Sequence, residues 1–152
     1  MSYLSGVVDE FFREDEWPIT TDDDPARRDV TFEGTNGRWE CRAWILDDDE
    51  EFLFFSIAPV AVIEQHRAAM AEFITRANFG LVLGNFEMNY GTGELRYKTS
   101  IGVQGAVLST ALVKQVVYAN VAVMDKYLPG IMLVASGRVA PEAAIADIES
   151  EP

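Results

Sequence analysis

The chain has 152 residues, 49% of them hydrophobic, and its 25 acidic residues against 12 basic ones give a net charge of −13. This apolar content excludes a disordered chain and fits one domain with a core of its own. The charge argues against nucleic acid as a partner, because most of that affinity comes from neutralising phosphates, and also against an anionic membrane surface.

The sequence predicts a soluble protein of the cytoplasm. Its longest apolar stretches fall far short of the ~20 residues that a membrane-spanning helix needs. No basic segment with a following apolar run marks a signal peptide. Cys41 is the only cysteine, so no internal disulfide can form, which fits a reducing compartment.

A helix, a loop and three strands are predicted before residue 59. Ser2 can cap a helix that reaches about Asp15, because apolar residues recur there at helical spacing. Trp17-Pro18 ends this helix, since the residue before a proline avoids the helical conformation. A polar loop follows over residues 20–28. The three strands are then predicted from alternating or continuous apolar residues at 30–33, 38–45 and 52–58.

The three strands differ in the pattern of their faces. The turn before the second strand contains Asn36-Gly37, the strongest short signal for a hairpin. In the second strand, Trp44 lies on the face that otherwise carries charged residues. The strand 52–58 is apolar on both faces. It is therefore either a central strand covered on both sides or a strand with an intermolecular neighbour.

A second helix and a hairpin follow. Pro59 suits the first turn of the helix, and His66 lies at the edge of its apolar side. Asn78, at the end of this helix, can take the left-handed conformation of a helix cap. Residues 81–90 and 94–101 are predicted to form the hairpin, because both run around a glycine-rich turn.

The C-terminal third is predicted to be helical. Ser109 or Thr110 can cap a third helix that reaches about Tyr127 and is apolar nearly all round. Pro129 then opens a short fourth helix that ends at Gly137.

Together these elements predict an α+β fold, a twisted antiparallel sheet of about five strands with helices packed on it. No repeat and no internal boundary divides the chain. We predict a single domain over residues 1–137, followed by an acidic C-terminal tail over residues 138–152.

No combination of residues forms a recognisable catalytic or metal site. His66 is the only histidine and Cys41 has apolar neighbours on its strand face, so both are expected to be structural. Structural zinc needs about four such ligands, and the acidic run 47–51 lacks the spacing and the glycine of a calcium loop. We therefore expect no enzyme, no cofactor and no metal. An enzyme that uses paired carboxylates stays open as an alternative.

Four segments of the second half carry a resemblance to a known family: residues 75–81, 84–88, 93–100 and 124–132. The chain resembles the YbjN family, bacterial proteins described as sensory transduction regulators. The resemblance implies a fold similar to that of type III secretion chaperones, in the order helix, three strands, helix, two or three strands, helix. It implies no established enzymatic activity, so no catalytic residue is carried over.

The leading functional hypothesis is a non-enzymatic, homodimeric protein-binding module, either chaperone-like or a regulatory adaptor. We expect its client site around aromatic residues that the helices leave uncovered, namely Trp44, Phe52 and Phe54. Arg96 and Lys98 share one strand face, where they either pair with Glu87 or engage an acidic partner. The alternative is a small-molecule sensor in which the aromatic side of the sheet lines a pocket.

Overall fold

The computed structural model describes residues 2–150 as one antiparallel sheet and a layer of helices. The elements in chain order are α1 (Tyr3–Glu14), β1 (Thr20–Thr21), β2 (Arg27–Glu33), β3 (Arg38–Leu46), β4 (Glu51–Ile57), a 3₁₀ turn (Glu64–His66), α2 (Arg67–Gly80), β5 (Asn85–Met88), β6 (Leu95–Gly102), α3 (Thr110–Ala135) and α4 (Pro141–Glu149). The predicted α+β fold is confirmed, with six strands in place of about five. None of these helices is both long and apolar enough to cross a membrane.

The strands lie in the order β1-β2-β3-β4-β6-β5, and every neighbouring pair is antiparallel. The four helices lie on one face of this sheet, with α3 along β4 and β6 and α2 against β5. Alternate residues of each strand therefore point into the core, and the others point to a face without helices, which we call the helix-free face. β4 lies inside the sheet between β3 and β6, but helices cover only one of its faces, so the predicted cover on both sides is wrong. The alternative, an intermolecular neighbour, stays a prediction.

The N-terminal helix forms as predicted. The hydroxyl of Ser2 accepts a hydrogen bond from the backbone N–H of Ser5 at 3.1 Å, which caps α1. The apolar side of α1 is buried against the sheet. The carboxylate of Asp9 accepts two hydrogen bonds from the guanidinium of Arg28, at 2.8 and 3.1 Å, and so ties α1 to β2.

Helix α2 begins at Arg67, later than the predicted start at Pro59. The chain before it is held extended, because Val62 donates its backbone N–H to the carbonyl of Gly93. Asn78 lies inside α2, and the expected left-handed cap is wrong. Its side-chain amide instead donates to the carbonyl of Phe86 and accepts from the N–H of Phe86. This exchange occupies the outer edge of β5.

Helix α3 is continuous, so the predicted break at Pro129 is wrong. A proline in a helix leaves the carbonyl four residues earlier without its donor. Here that carbonyl belongs to Asp125, and the side-chain amide of Asn36 donates to it at 2.9 Å. The carboxylate of Asp125 also accepts the backbone N–H groups of Thr35 and Asn36. The β2–β3 turn thus supplies the bond that the proline removes.

The end of α3 and the segment after it are also ordered by specific contacts. Gly137, with a φ of +74°, donates to the carbonyl of Val134, and Arg138 donates to that of Leu133, which is the usual glycine-terminated helix end. Residues 141–149 form α4, which packs on α2 and α3 and buries Ile145 and Ile148. The division of the chain at residue 137 stays a prediction.

One buried amide ties the largest helix to the sheet. Asn120 of α3 is fully buried, and its Nδ2 lies 2.8 Å from the carbonyl of Phe54 and 3.0 Å from that of Tyr97. The same nitrogen lies 3.1 Å from the hydroxyl of Thr99, which donates to the carbonyl of Val116. The position of α3 is therefore set by hydrogen bonds to both β4 and β6.

We expect Asn120→Ala to lower the free energy of unfolding by about 2–3 kcal/mol, because it removes the buried hydrogen bonds that join α3 to β4 and β6. Urea denaturation measures this. Lys126→Ala, at an exposed position of the same helix, should change stability by less than about 0.5 kcal/mol. Equal stabilities for the two variants would contradict the role given to Asn120.

Candidate protein-binding surfaces

The helix-free face has an apolar centre surrounded by charged side chains. Strand pairing aligns Trp44 with Leu53, and it aligns Phe55 with Arg42 on one side and Lys98 on the other. Five basic residues lie on this face: Arg27, Arg38, Arg42, Arg96 and Lys98. Five acidic residues accompany them: Asp29, Glu33, Glu40, Glu51 and Glu87. The face thus carries no net charge although the chain carries −13.

Guanidinium groups cover the aromatic rings of this face. The guanidinium of Arg96 lies 4.1 Å from the ring centroid of Phe55, which is only 5% exposed although no helix covers it. The guanidinium of Arg27 lies 6.0 Å from the ring of half-buried Trp44. Such cation–π contacts remove apolar surface from water and leave charged groups outermost.

The basic pair on β6 shares one carboxylate. Glu87 of β5 lies 2.6 Å from Arg96 and 3.3 Å from Lys98, so the cross-strand pairing with Glu87 is present. Partial burial alone would raise the pKa of Glu87. The hydrogen bond and charge of Arg96, together with the charge of Lys98, outweigh that effect and lower the pKa. Two cations against one carboxylate leave positive charge at this point.

Arg42, next to Phe55, is incompletely satisfied. Its buried Nε has no hydrogen-bond partner within residues 2–150. The carboxylate of Asp29 lies 3.4 Å away, close enough for attraction between the charges but without hydrogen-bond geometry, and it already accepts from Arg27 at 3.0 Å. A buried charged donor without a partner is costly. The Arg42 side chain as a whole is 35% exposed, so a carboxylate from another molecule would approach its exposed part and not the buried Nε.

The structure separates the predicted site residues. Trp44, Arg96 and Lys98 lie on the helix-free face, and their contact with a partner stays a prediction. Phe52 and Phe54 point the other way and are 1% and 0% exposed, so the expectation that they stay uncovered is wrong. The helices cover that side of β4. Leu53 and Phe55, which sequence reasoning missed, occupy the face with Trp44, as strand pairing requires.

A second surface is apolar and far more exposed. Phe79, Val82 and Leu83 are 96%, 92% and 58% exposed. They lie at the end of α2 and in the turn that leads to β5, and we call the segment 79–83 the apolar loop. Beside it lies a groove of about 250 Å³ between β6 and α3, lined by Leu83, Gly84, Thr99, Ser100, Ile101, Gln115, Val116 and Ala119. No pattern in the sequence indicated this exposure, because apolar residues at the end of a helix are usually buried.

Cys41 and His66 have structural contacts. The thiol of Cys41 is buried 3.7 Å from the hydroxyl of Ser56, and burial raises its pKa to about 12. Nδ1 of His66 lies 2.8 Å from the carbonyl of Ala135 at the end of α3. Within residues 2–150, no three His, Cys, Asp or Glu side chains converge as metal ligands would.

Comparison with known proteins gives a family and a fold. Residues 5–131 match the model of the YbjN family, described as "Putative bacterial sensory transduction regulator". The structure is similar to the crystal structure of YbjN from E. coli, described as "a putative transcription regulator", with a TM-score of 0.59 and 10% identity over 86% of this chain and 88% of that one. No curated protein matches the sequence.

Two complexes contain similar chains. A chain of the HopA1–SchA chaperone–effector complex matches with a TM-score of 0.55 and 18% identity, over 82% of this chain and 91% of its own. A chain of the ExsC–ExsE complex matches with a TM-score of 0.51 and 12% identity, over 84% of this chain and 92% of its own. At these identities the likeness establishes a chaperone-like fold.

The thiol of Cys41 should be unreactive in the folded protein. With a pKa near 12 it is protonated at pH 8, and burial also shields it from reagents. We expect a disulfide reagent such as DTNB to react only in denaturant, at the rate of unfolding. Rapid stoichiometric labelling of the native protein would contradict this.

The lowered pKa of Glu87 predicts a pH dependence of stability. Since the carboxylate is favoured in the folded state, its contribution is present above the unfolded-state value near 4.5 and is lost as pH falls through the lower folded value. Glu87→Gln should therefore be less stable than the natural protein at pH 7, and the difference should shrink below about pH 4. Urea titrations at several pH values measure it, and a difference independent of pH would refute it.

Proposed function

The chain belongs to the YbjN family, and on that premise we propose that it is a non-enzymatic protein-binding module that holds a segment of a partner on its helix-free face. The observation that carries the proposal is a sheet face with an apolar centre, no covering helix and an unsatisfied arginine. The role is chaperone-like or regulatory. The similarity in fold to a chain of a chaperone–effector complex supports it.

The chemistry of the face indicates what the segment contains. Within residues 2–150 the Nε of Arg42 has no hydrogen-bond acceptor, and Lys98 shares Glu87 with Arg96, so one or two carboxylates from the partner would pair with the exposed parts of Arg42 and Lys98. Leu53 and Trp44 offer apolar area beside them. We therefore infer a short segment in which acidic and apolar side chains alternate, as they do on an extended strand.

The sensor alternative needs an aromatic-lined cavity, and the aromatic side of the sheet is instead filled. The rings of Phe86 and Tyr97 lie 4.7 Å apart and pack under the helices, and Phe12 of α1 lies 6.4 Å from Phe54. These contacts favour a core over a pocket.

We also propose that the module acts in the cytoplasm as a homodimer, which the single cysteine and the exposed apolar loop support.

We expect Trp44→Ala to weaken capture of the partner at least about tenfold, since aromatic anchors carry much of the binding free energy of an interface. The melting temperature should change little, because Trp44 lies outside the core. Immobilised protein would be incubated with native lysate, and the captured proteins would be quantified by mass spectrometry.

The matched control is Tyr90→Ala, which truncates an exposed aromatic residue in the β5–β6 turn. Arg42→Met is a second variant on the helix-free face, which removes the charge and keeps much of the length of the side chain. A partner that is lost with Trp44→Ala and Arg42→Met and retained with Tyr90→Ala supports the proposal. Capture that is the same with all three variants contradicts it.

A further inference from the structure

The apolar loop is not explained by packing within the chain. Phe79 and Val82 are almost fully exposed, and Leu83 is more than half exposed. The loop is nonetheless held in place, because Tyr97 donates its hydroxyl hydrogen to the carbonyl of Leu83. Gly84 runs so close to β6 that an added Cβ would meet the carbonyl of Lys98. A fixed, exposed apolar projection of this kind usually marks an interface.

The groove beside the loop lies where β6 has a free edge. β5 pairs with β6 only as far as Lys98, whereas β4 pairs with it through Gly102. The backbone N–H and C=O of Phe86 point away from β6, toward Asn78. The backbone groups of Tyr97, which lies opposite Phe86, therefore point to β4. Because this direction alternates along an antiparallel strand, the backbone groups of Ser100 point to the free edge. This edge offers one backbone donor and one backbone acceptor next to the apolar groove.

The segments that supply most of the loop and groove carry no charged residue, although Lys98 and Lys114 adjoin them in sequence. No charged residue occurs between residues 77 and 86 or between residues 99 and 113, in a chain whose net charge is −13. Two copies of such a chain repel each other wherever their acidic surfaces meet. Contact between copies is therefore least opposed in this region, whereas a basic partner would find no opposite charge here.

The apolar loop and the groove together form one patch, and its shape suits a contact between two copies related by a two-fold axis. It carries a projection, formed by Phe79 and Val82, and a depression, the groove, side by side. In a two-fold pair the same patch meets itself, so the projection of each copy can fill the depression of the other. A strand edge centred on Ser100 can pair with its own copy in the same arrangement, since antiparallel pairing is symmetric about such an axis.

We propose that a second copy of this chain docks on this patch, with the apolar loop of each protomer in the groove of the other and the two β6 edges antiparallel at Ser100. The inference rests on the homodimer of the proposed function and assigns its interface. The helix-free face stays available to the partner segment, because the patch lies at the free edge of β6 and on its helix side.

Light scattering during size-exclusion chromatography tests the interface. At tens of micromolar the natural protein should have twice the mass of one chain, which is 16.9 kDa. Val82→Asp should have the mass of one chain and still unfold in one cooperative transition, because Val82 makes little contact with the rest of its own chain. The matched control Ile63→Asp, at a half-exposed apolar residue near the other end of β6, should keep the mass of the dimer.

A second variant tests the strand edge. Ser100→Pro removes an N–H that points away from β4, so the sheet tolerates it as it tolerates proline on edge strands. It should weaken the dimer at least about tenfold. A natural protein with the mass of a single chain at these concentrations, or a Val82→Asp protein with the mass of the dimer, overturns the interface.

The two proposals fail in different ways. If the partner binds somewhere other than the helix-free face, the Trp44→Ala protein captures as much partner as the natural protein and keeps the mass of the dimer. If the apolar loop is not the interface, Val82→Asp keeps the mass of the dimer whatever Trp44→Ala captures.

Discussion

The helices of this protein cover one face of its sheet and leave the other to water, and most of its other features depend on this one-sided cover. The central strand β4 is apolar on both faces, so burying Phe52 and Phe54 necessarily turns Leu53 and Phe55 outward. Guanidinium groups lie over the aromatic rings of that face and shield them from water. Carboxylates in turn pair with these guanidinium groups. These pairings do not satisfy every buried group, because within residues 2–150 the Nε of Arg42 has no hydrogen-bond partner.

The distribution of charge follows the same division. The helix-free face balances its charges, so the excess of carboxylates lies on the helices, turns and ends of the chain. The acidic exterior keeps the protein apart from copies of itself, and the uncharged patch around Val82 interrupts it. In the dimer that we propose, charge repulsion and association would act on different parts of one surface.

Local patterns predicted the elements well, and long-range contacts account for the errors. Three correct predictions depend on residues close in sequence: the cap at Ser2, the succession of three strands before residue 59, and the sheet face on which Trp44 lies. The continuity of α3 at Pro129 depends on Asn36, which no local rule connects to it. The role of Asn78 required the position of β5. Among the predicted site residues, Phe52 and Phe54 lie on the helix-covered face and not on the open one. The alternation along a strand separates its two faces, but it does not indicate which face the helices cover.

The bond between Asn36 and Asp125 has a consequence for the order of folding. It joins residues 89 positions apart in the chain, and it replaces a hydrogen bond whose loss makes proline costly, by about 3 kcal/mol, inside a helix. The first half of α3 can form by local contacts alone, whereas the turns around Pro129 gain this hydrogen bond only once the β2–β3 hairpin has docked. The second half of α3 therefore consolidates late, after loop closure over most of the chain. Partial unfolding should begin at the same place, and would release α4 with it.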